Sequence, residues 1–211
     1  MEGILELLNS ETGRQIINGV SNETKQPTDK TASVLSMGLP ILMGAMKRNV
    51  NKGGAEGLLG ALDNKHDGDI LNNLGGLFSG GVNEDVKADG LGILGHVLGG
   101  SQNNVASALS KKSGMDVNSV MQILQVAAPI LLGYLGKKKR EQNVASENGL
   151  EGLLGGLMGG NGGSQQKQQS LIESLLDGDG DGSVIDDVAG MVLGGNKSDG
   201  IGGMLGGLFG R

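Results

Sequence analysis

One stretch of the sequence has the residue types and spacing of a divalent-cation site. Aspartates alternate with glycines there, and the candidate ligands are Asp177, Asp179, Asp181, Ser183, Asp186 and Asp187. In an EF-hand loop, positions 1, 3 and 5 supply side chains, a glycine at position 6 makes the turn, and position 7 supplies its carbonyl. Val188 stands at position 12, where a bidentate glutamate is usual, so Asp186 or Asp187 must close the shell. The pattern predicts one calcium site, since loosely arranged oxygens suit calcium better than magnesium.

Helix capping is a second explanation of the same residues. Asp and Gly form Asx-turns, and carboxylates in the first turn of a helix interact favourably with its dipole. A related stretch, residues 63–73, keeps Asp63, Asp67 and Gly68 but has Lys65 at the third loop position and asparagines in place of the last two carboxylates. An ammonium group weakens a divalent site, so capping or a Lys–Asp pair is expected at residues 63–73. For residues 177–187 both explanations stay open.

Few other residues could carry catalysis. The 211 residues include no Cys and 2 His, which excludes thiol nucleophiles, Cys-ligated zinc and iron–sulfur clusters and leaves little for a Ser-His-Asp triad. His66 and His96 have no second His or Cys at ligand spacing, and we expect turn and helix-face roles for them. Adjacent carboxylates without an aromatic platform do not suit glycosidase chemistry. We therefore expect no enzyme activity, no small-molecule substrate and no cofactor besides calcium.

The charge and hydropathy pattern indicates neither nucleic-acid binding nor a membrane span. The formal net charge is −6, and the one basic cluster, residues 137–140, is expected at a helix C-terminus, where cations face the negative end of the dipole. The N-terminus lacks the features of a secretory signal. The longest apolar run, residues 126–135, is shorter than the roughly 20 residues that span a bilayer. These observations predict a cytoplasmic protein without a transmembrane helix.

The elements that must position these residues are duplicated. A shift of 89 residues aligns residues 4–48 with residues 93–137 without a gap, and Pro40 and Gly44 fall on Pro129 and Gly133. A second match, at an offset of 114, aligns residues 62–73 with residues 176–187, so the second copy has an insertion of 25 residues. Its flexible part is the Gly/Ser/Gln/Lys-rich stretch 159–170. The predicted division is a first repeat at 1–88, a second repeat at 89–197 and a Gly/Leu-rich tail at 198–211.

Each copy is predicted to be helical. Apolar residues in 117–135 follow the i, i+3, i+4, i+7 spacing of one buried helical stripe. Gly114 supplies a C-cap and Asp116 a new start, whereas Pro129 requires a kink or a boundary between two short helices. No stretch alternates with a period of two. The expected fold is all-α, with two tandem copies of a short-helix, glycine-rich module.

Two segments place glycines in a row along one helical ridge. These glycines are Gly152, Gly156 and Gly160, and then Gly202, Gly206 and Gly210. Beside them lie apolar quartets: Leu150, Leu153, Leu154 and Leu157, and then Ile201, Met204, Leu205 and Leu208. A glycine row allows close approach of two helices, yet glycine costs up to about 1 kcal/mol per helical position. Such helices must therefore pack on their own core, on another copy, or at a membrane.

Three segments resemble a known family. Gly95-His-Val-Leu-Gly-Gly-Ser-Gln-Asn-Asn-Val-Ala, Leu109-Ser-Lys-Lys-Ser-Gly-Met and Ala128-Pro-Ile-Leu-Leu-Gly resemble the YidB-like bacterial family of unknown function, the domain of unknown function numbered nine hundred and thirty-seven. The Leu-Asp to Asp-Asp segment at 176–187 is similar to a stretch of that family. The resemblance implies an all-α, partly homeodomain-like fold and a bacterial origin, in two copies, and it implies no activity.

These features lead to one main functional hypothesis and two alternatives. The main one is a non-enzymatic helical module that binds itself or another protein and has a calcium-ordered Asp loop. The first alternative is a membrane-active glycine-zipper protein, similar to an effector. The second is a DNA-associated homeodomain-like protein.

Overall fold

The computed structural model describes residues 3–158, which form helices joined by short turns. The helices are Ile4–Asn9 (α1), Glu11–Thr24 (α2), Thr28–Asn49 (α3), Ala55–Asn64 (α4), Asp69–Asn72 (α5), Leu74–Phe78 (α6), Glu84–Leu98 (α7), Gln102–Ser113 (α8), Val117–Glu141 (α9) and Glu147–Leu157 (α10). Residues Val50–Gly54 join α3 to α4 through a kink at Gly53, whose φ is 94°, and a 3-10 turn, Gly99–Ser101, joins α7 to α8. The described residues contain no strand, so the prediction of an all-α fold is confirmed.

Helix α9 is the central helix of the core. It packs against α2, α3, α4, α5, α7 and α8, and residues 126–136 are buried without interruption. A helix enclosed on all sides is apolar all round. Within residues 3–158 it is the one helix long and apolar enough to cross a membrane, and 83% of the apolar window lies inside the fold. Burial in the core therefore accounts for its composition.

Both internal prolines lie within continuous helices. Helix α3 runs for 22 residues through Pro40, and α9 runs for 25 residues through Pro129. The predicted alternative of a helix boundary at Pro129 is therefore wrong, and these two helices are longer than the short helices expected. A proline has no N–H and leaves the carbonyl four residues earlier without its helical donor. In α9 that carbonyl belongs to Gln125.

Helix α7 packs over the position in α9 where the helical hydrogen bond to the Gln125 carbonyl is missing. A Cβ placed on Gly90 would overlap the Gln125 carbonyl oxygen and would lie 3.3 Å from Cδ of Pro129. The Gln125 side chain adds a second link, because its Nε2 donates a hydrogen bond to the carbonyl of Lys87 at 2.8 Å. The close approach of α7 thus encloses the stretch of α9 that proline weakens.

Helices in the two related segments begin and end at equivalent positions. Helices α2 and α8 end 89 residues apart, and α3 and α9 begin 89 residues apart. A three-residue turn joins each pair, and its first residue is left-handed in both, with φ of 55° at Lys25 and 65° at Gly114. Glycine adopts this conformation without the strain that a side chain adds.

The hydrogen bonds around these turns also recur at the same spacing. Ser21 Oγ donates to Gln26 O and Ser110 Oγ to Met115 O, both at 2.6 Å, while Thr24 Oγ1 donates to Val20 O and Ser113 Oγ to Leu109 O, both at 2.7 Å. In each segment one bond joins the helix to the turn that follows it, and the other lies within the last turns of the helix. The local structure of the two segments is therefore specified by the same side-chain chemistry.

The two segments contact each other reciprocally. Gln26, in the turn before α3, donates to Ser119 Oγ in the first turn of α9 at 3.0 Å. Lys30, in the first turn of α3, donates to the Gly114 carbonyl in the turn before α9 at 3.2 Å. Each turn therefore meets the start of the other segment's long helix, the pattern of an isologous contact in a two-fold dimer.

Candidate functional site

The predicted calcium ligands, Asp177, Asp179, Asp181, Ser183, Asp186 and Asp187, lie outside the described residues. The same holds for Gly160, Gly202, Gly206 and Gly210. Within residues 3–158, no three His, Asp or Glu side chains are grouped so that they could hold a metal ion. The related loop at residues 63–73 is described, and its geometry shows how its own carboxylates are used.

The aspartates of this loop pair with cations at the C-terminal end of α9. Asp63 Oδ1 lies 2.5 Å from Nζ of Lys139, a lysine that is 7% exposed. Asp67 Oδ2 lies 3.2 Å from Nη1 of Arg140, and its Oδ1 accepts the Asp69 N–H at 3.1 Å. The expectation of capping or a Lys–Asp pair at residues 63–73 is confirmed, with both present. A buried ammonium needs such a partner, because an unpaired charge is costly in the interior.

Asp89 of α7 contacts Lys65 and His66, two of the three residues between these aspartates. Its Oδ1 lies 2.7 Å from Nζ of Lys65, and its Oδ2 lies 3.4 Å from Nε2 of His66. The His66 side chain is 7% exposed. Burial lowers the pKa of the His66 imidazole below its usual range, although the Asp89 carboxylate acts in the opposite direction. His66 is thus a buried turn residue that connects α4, α7 and α9.

The loop packs closely against α9 at two glycines of that helix, Gly133 and Gly136. A Cβ on Gly136 would overlap the carbonyl of His66, and a Cβ on Gly133 would overlap a methyl group of Ile70. Gly133, which marks the repeat in the sequence, therefore has a packing role. His96 lies exposed on α7, with Nδ1 2.8 Å from the Gly92 carbonyl. The turn and helix-face roles expected for the two histidines are confirmed.

The basic cluster at residues 137–140 occupies the last turns of α9, as predicted. Its four cations lie at two different parts of the fold. Lys139 and Arg140 meet the Asp loop, whereas Lys137 and Lys138 line a cavity of about 280 Å³ between α9 and the α1–α2 region. The remaining lining residues are Leu7, Ser10, Thr12, Leu71 and Tyr134. Sequence analysis missed this cavity, because its lining residues come from three segments that are distant in the sequence.

Two glycines of the first row, Gly152 and Gly156, lie on α10, and Gly156 is half-buried. The predicted quartet of Leu150, Leu153, Leu154 and Leu157 is buried, each residue at 2% exposure or less. Gly152 is exposed, and a Cβ there would meet no atom within 4 Å. On this helix the leucines pack into the chain's own core, while Gly152 makes no close approach to another described helix.

A family model for bacterial proteins of unknown function, DUF937, matches residues 6–138 and 141–211. The chain belongs to the DUF937 family. The resemblance inferred from residues 95–133 is therefore confirmed, and the two adjacent matches are consistent with two copies of the family. No curated protein and no solved structure matches the chain.

In this DUF937 protein the boundary between the matches falls at the end of α9. Both segments of the 89-residue repeat, 4–48 and 93–137, lie almost wholly inside the first match, and α10 belongs to the second. The division at residues 88 and 197, drawn from the internal repeat, stays a prediction.

Proposed function

We propose that this DUF937 protein is a non-enzymatic, cytoplasmic helical module that binds to itself or to another protein through glycine ridges. The observation that carries the proposal is the orientation of α10. Its four leucines are buried in the core, and Gly152 lies on the opposite, exposed face with no neighbour for a Cβ within 4 Å. A helix from a second copy could approach this backbone closely, because no side chain intervenes. In the sequence, the same spacing of four residues continues to Gly156 and Gly160 and recurs from Gly202 to Gly210.

The internal repeat supports self-recognition. We propose that residues 4–48 and 93–137 are tandem copies of one glycine-rich helical unit, a view supported by their shared turn geometry and recurring hydrogen bonds. The reciprocal contacts of Gln26 with Ser119 and of Lys30 with Gly114 join two similar units as a homodimer would. Two related helical units therefore already recognise each other within this chain.

We also propose that calcium orders the loop at residues 177–187. In the described loop, Lys139 and Arg140 neutralise Asp63 and Asp67. The later loop has Asp179 where the first has Lys65, and a second aspartate pair where the first has asparagines. Carboxylates gathered this way repel one another unless a cation binds among them, and calcium accepts 6–8 oxygens in flexible geometry.

We propose homeodomain-like character only for the arrangement of the helix pairs, and not for DNA binding. Helices α8 and α9 are joined by three residues that include Gly114, as in a helix-turn-helix. DNA-binding proteins of that class expose their second helix to the major groove. Here the second helix is α9, whose residues 126–136 are buried, so the centre of this helix offers no surface to DNA.

The oligomeric state of the full chain with and without calcium tests the proposal. We expect sedimentation velocity to show concentration-dependent association that calcium strengthens. A monomer at all concentrations in both conditions would contradict self-association. Co-sedimentation with liposomes, in place of association in solution, would favour the membrane-active alternative.

A further inference from the structure

The cavity between α9 and the α1–α2 region has a mixed lining. Its polar and charged lining residues are Ser10, Thr12, Lys137 and Lys138. Its apolar and aromatic lining residues are Leu7, Leu71 and Tyr134. The volume, about 280 Å³, is close to the lower end of small-molecule pockets. A ligand that fills it needs an anionic end and a compact apolar body.

The equivalent place in the other half of the fold is bridged by an asparagine side chain. Lys138 corresponds to Asn49 at the spacing of 89 residues. Asn49 Nδ2 donates to the carbonyls of His96 and Val97 at 3.1 and 3.2 Å, and so links the end of α3 to the end of α7. Leu7 is the counterpart of His96, and between Leu7 and Lys138 there is a cavity instead of this link. The two segments therefore differ at this position, with a bridging amide in one and a cation in the other.

The charges in and near the cavity favour an anion. Lys138 Nζ lies 2.8 Å from Glu141 Oε2 and 5.7 Å from the centroid of the Tyr134 ring. Glu141 offsets the charge of Lys138, whereas Lys137 is exposed and has no ion pair among the described residues. The first N–H groups of α2 lack helical acceptors at the end where Ser10 and Thr12 stand. Ser10 Oγ already accepts the Gly13 N–H at 3.1 Å, so the Thr12 hydroxyl is the available one.

We propose that this cavity binds the phosphate group of a small organic phosphate, with Lys137 and Lys138 as the cationic ligands and Leu7, Leu71 and Tyr134 as the wall for its apolar part. Lysine binds phosphate as a point charge, and backbone N–H groups at a helix start add donors. This ligand goes beyond the self-binding module and revises the expectation that the protein has no small-molecule partner.

Calorimetric titration of the full-length protein with phenyl phosphate tests the site, with inorganic phosphate and phenol as partial probes. We expect phenyl phosphate to bind more tightly than either, because only phenyl phosphate has both a phosphate group for the lysines and a ring for the apolar lining residues. Lys137→Gln with Lys138→Gln should weaken binding by about tenfold or more, since hydrogen bonds to charged groups are lost. The matched control is Lys111→Gln with Lys112→Gln, an exposed lysine pair in the last turn of α8.

A second variant separates the cavity from general charge effects. Leu71→Phe fills part of the space and leaves both lysines in place, so phenyl phosphate binding should weaken while inorganic phosphate binding is retained. Thermal melts of each variant without ligand establish that it is folded. No heat with phenyl phosphate at millimolar concentration would overturn the proposal, and so would equal losses in the two lysine double variants. Self-association is measured independently by sedimentation, so failure of this site leaves the module proposal standing.

Discussion

Gly90 in α7 lies against the carbonyl oxygen of Gln125 in α9, at a distance that leaves no room for a Cβ. Pro129 removes the helical N–H donor of that carbonyl. Helix α7 packs against the Gln125 carbonyl with its backbone, because Gly90 has no side chain. The contact links the proline of α9, Pro129, to a glycine of α7, Gly90. It also explains how α9 continues through a proline in the centre of the core.

The Gly90 contact predicts opposite effects for two alanine variants of the same helix. Gly90→Ala should destabilise by roughly 1–3 kcal/mol, the usual cost of overpacking, because overlap with backbone outweighs the gain in helix propensity. Gly92→Ala should stabilise by up to about 1 kcal/mol, since a Cβ at Gly92 meets no atom within 4 Å. Urea unfolding measures both. Equal effects of the two variants would show that α7 does not approach α9 this closely.

Helix starts, helix ends and apolar helix faces depend on neighbouring residues, and the sequence could predict them. Asp116 was predicted as a helix start, and its side chain accepts the Ser119 N–H at 2.9 Å. Gly114 was predicted as a C-cap, and it is left-handed. The leucine quartet of α10 was predicted as one apolar face, and it is buried. Each of these follows from chemistry within a few residues.

The sequence could not predict what depends on distant segments. The continuity of α9 through Pro129 depends on Gly90, which lies 39 positions earlier. The cavity combines Thr12 with Lys137, and no local pattern marks either residue as a ligand. Helix periodicity identifies a buried stripe, but it does not indicate which helix covers it.

The Asp63–Lys139 pair predicts a loss of stability when the carboxylate is removed. Asp63→Asn leaves a nearly buried ammonium unpaired, and we expect a loss of roughly 1–3 kcal/mol, less than the 3–5 kcal/mol of a fully buried pair because Asp63 is half exposed. Asp67→Asn is the matched control. Its pair with Arg140 is exposed, and asparagine retains the cap on Asp69, so the loss should be below about 1 kcal/mol. Equal losses in denaturant unfolding would refute the burial argument.

His66 predicts a pH dependence of stability. Burial lowers the pKa of His66 in the folded state below the usual value of 6.5, so the unfolded chain binds the proton more readily. The contribution of neutral His66 to the free energy of unfolding should therefore be fully present above pH 6.5. It should be lost as the pH drops below that value. Urea unfolding at pH 7.5 and 5.5 measures this loss. His66→Gln should reduce the difference between the two pH values and His96→Gln should not; a wild-type protein equally stable at both would contradict the prediction.

Calcium binding predicts a specific response to removal of two aspartates. The wild-type chain should bind one calcium ion with a Kd of roughly 10⁻⁴–10⁻³ M, the range of weak sites, because the loop lacks the glutamate of position 12. Asp179→Ala with Asp181→Ala should abolish the calorimetric signal. Asp29→Ala with Asp85→Ala removes the same charge from exposed first-turn positions of α3 and α7 and should leave binding unchanged. No calcium heat from the wild-type chain at millimolar ion would leave helix capping as the role of the loop.

The glycine ridge of α10 predicts a variant that gains stability and loses association. Gly152 and Gly57 both lie in the sequence Glu-Gly-Leu-Leu-Gly, both are exposed in helices, and a Cβ at either meets no atom within 4 Å. Leucine at either position should therefore raise helix propensity and stabilise the monomer by up to about 1 kcal/mol. If α10 binds a second copy through its glycine face, Gly152→Leu must also push the two backbones apart and abolish self-association, whereas Gly57→Leu must retain it. Thermal melts and sedimentation velocity of the pair separate these effects, because intrinsic helix stability changes alike in both. A Gly152→Leu variant that associates as strongly as Gly57→Leu would exclude this face as the interface.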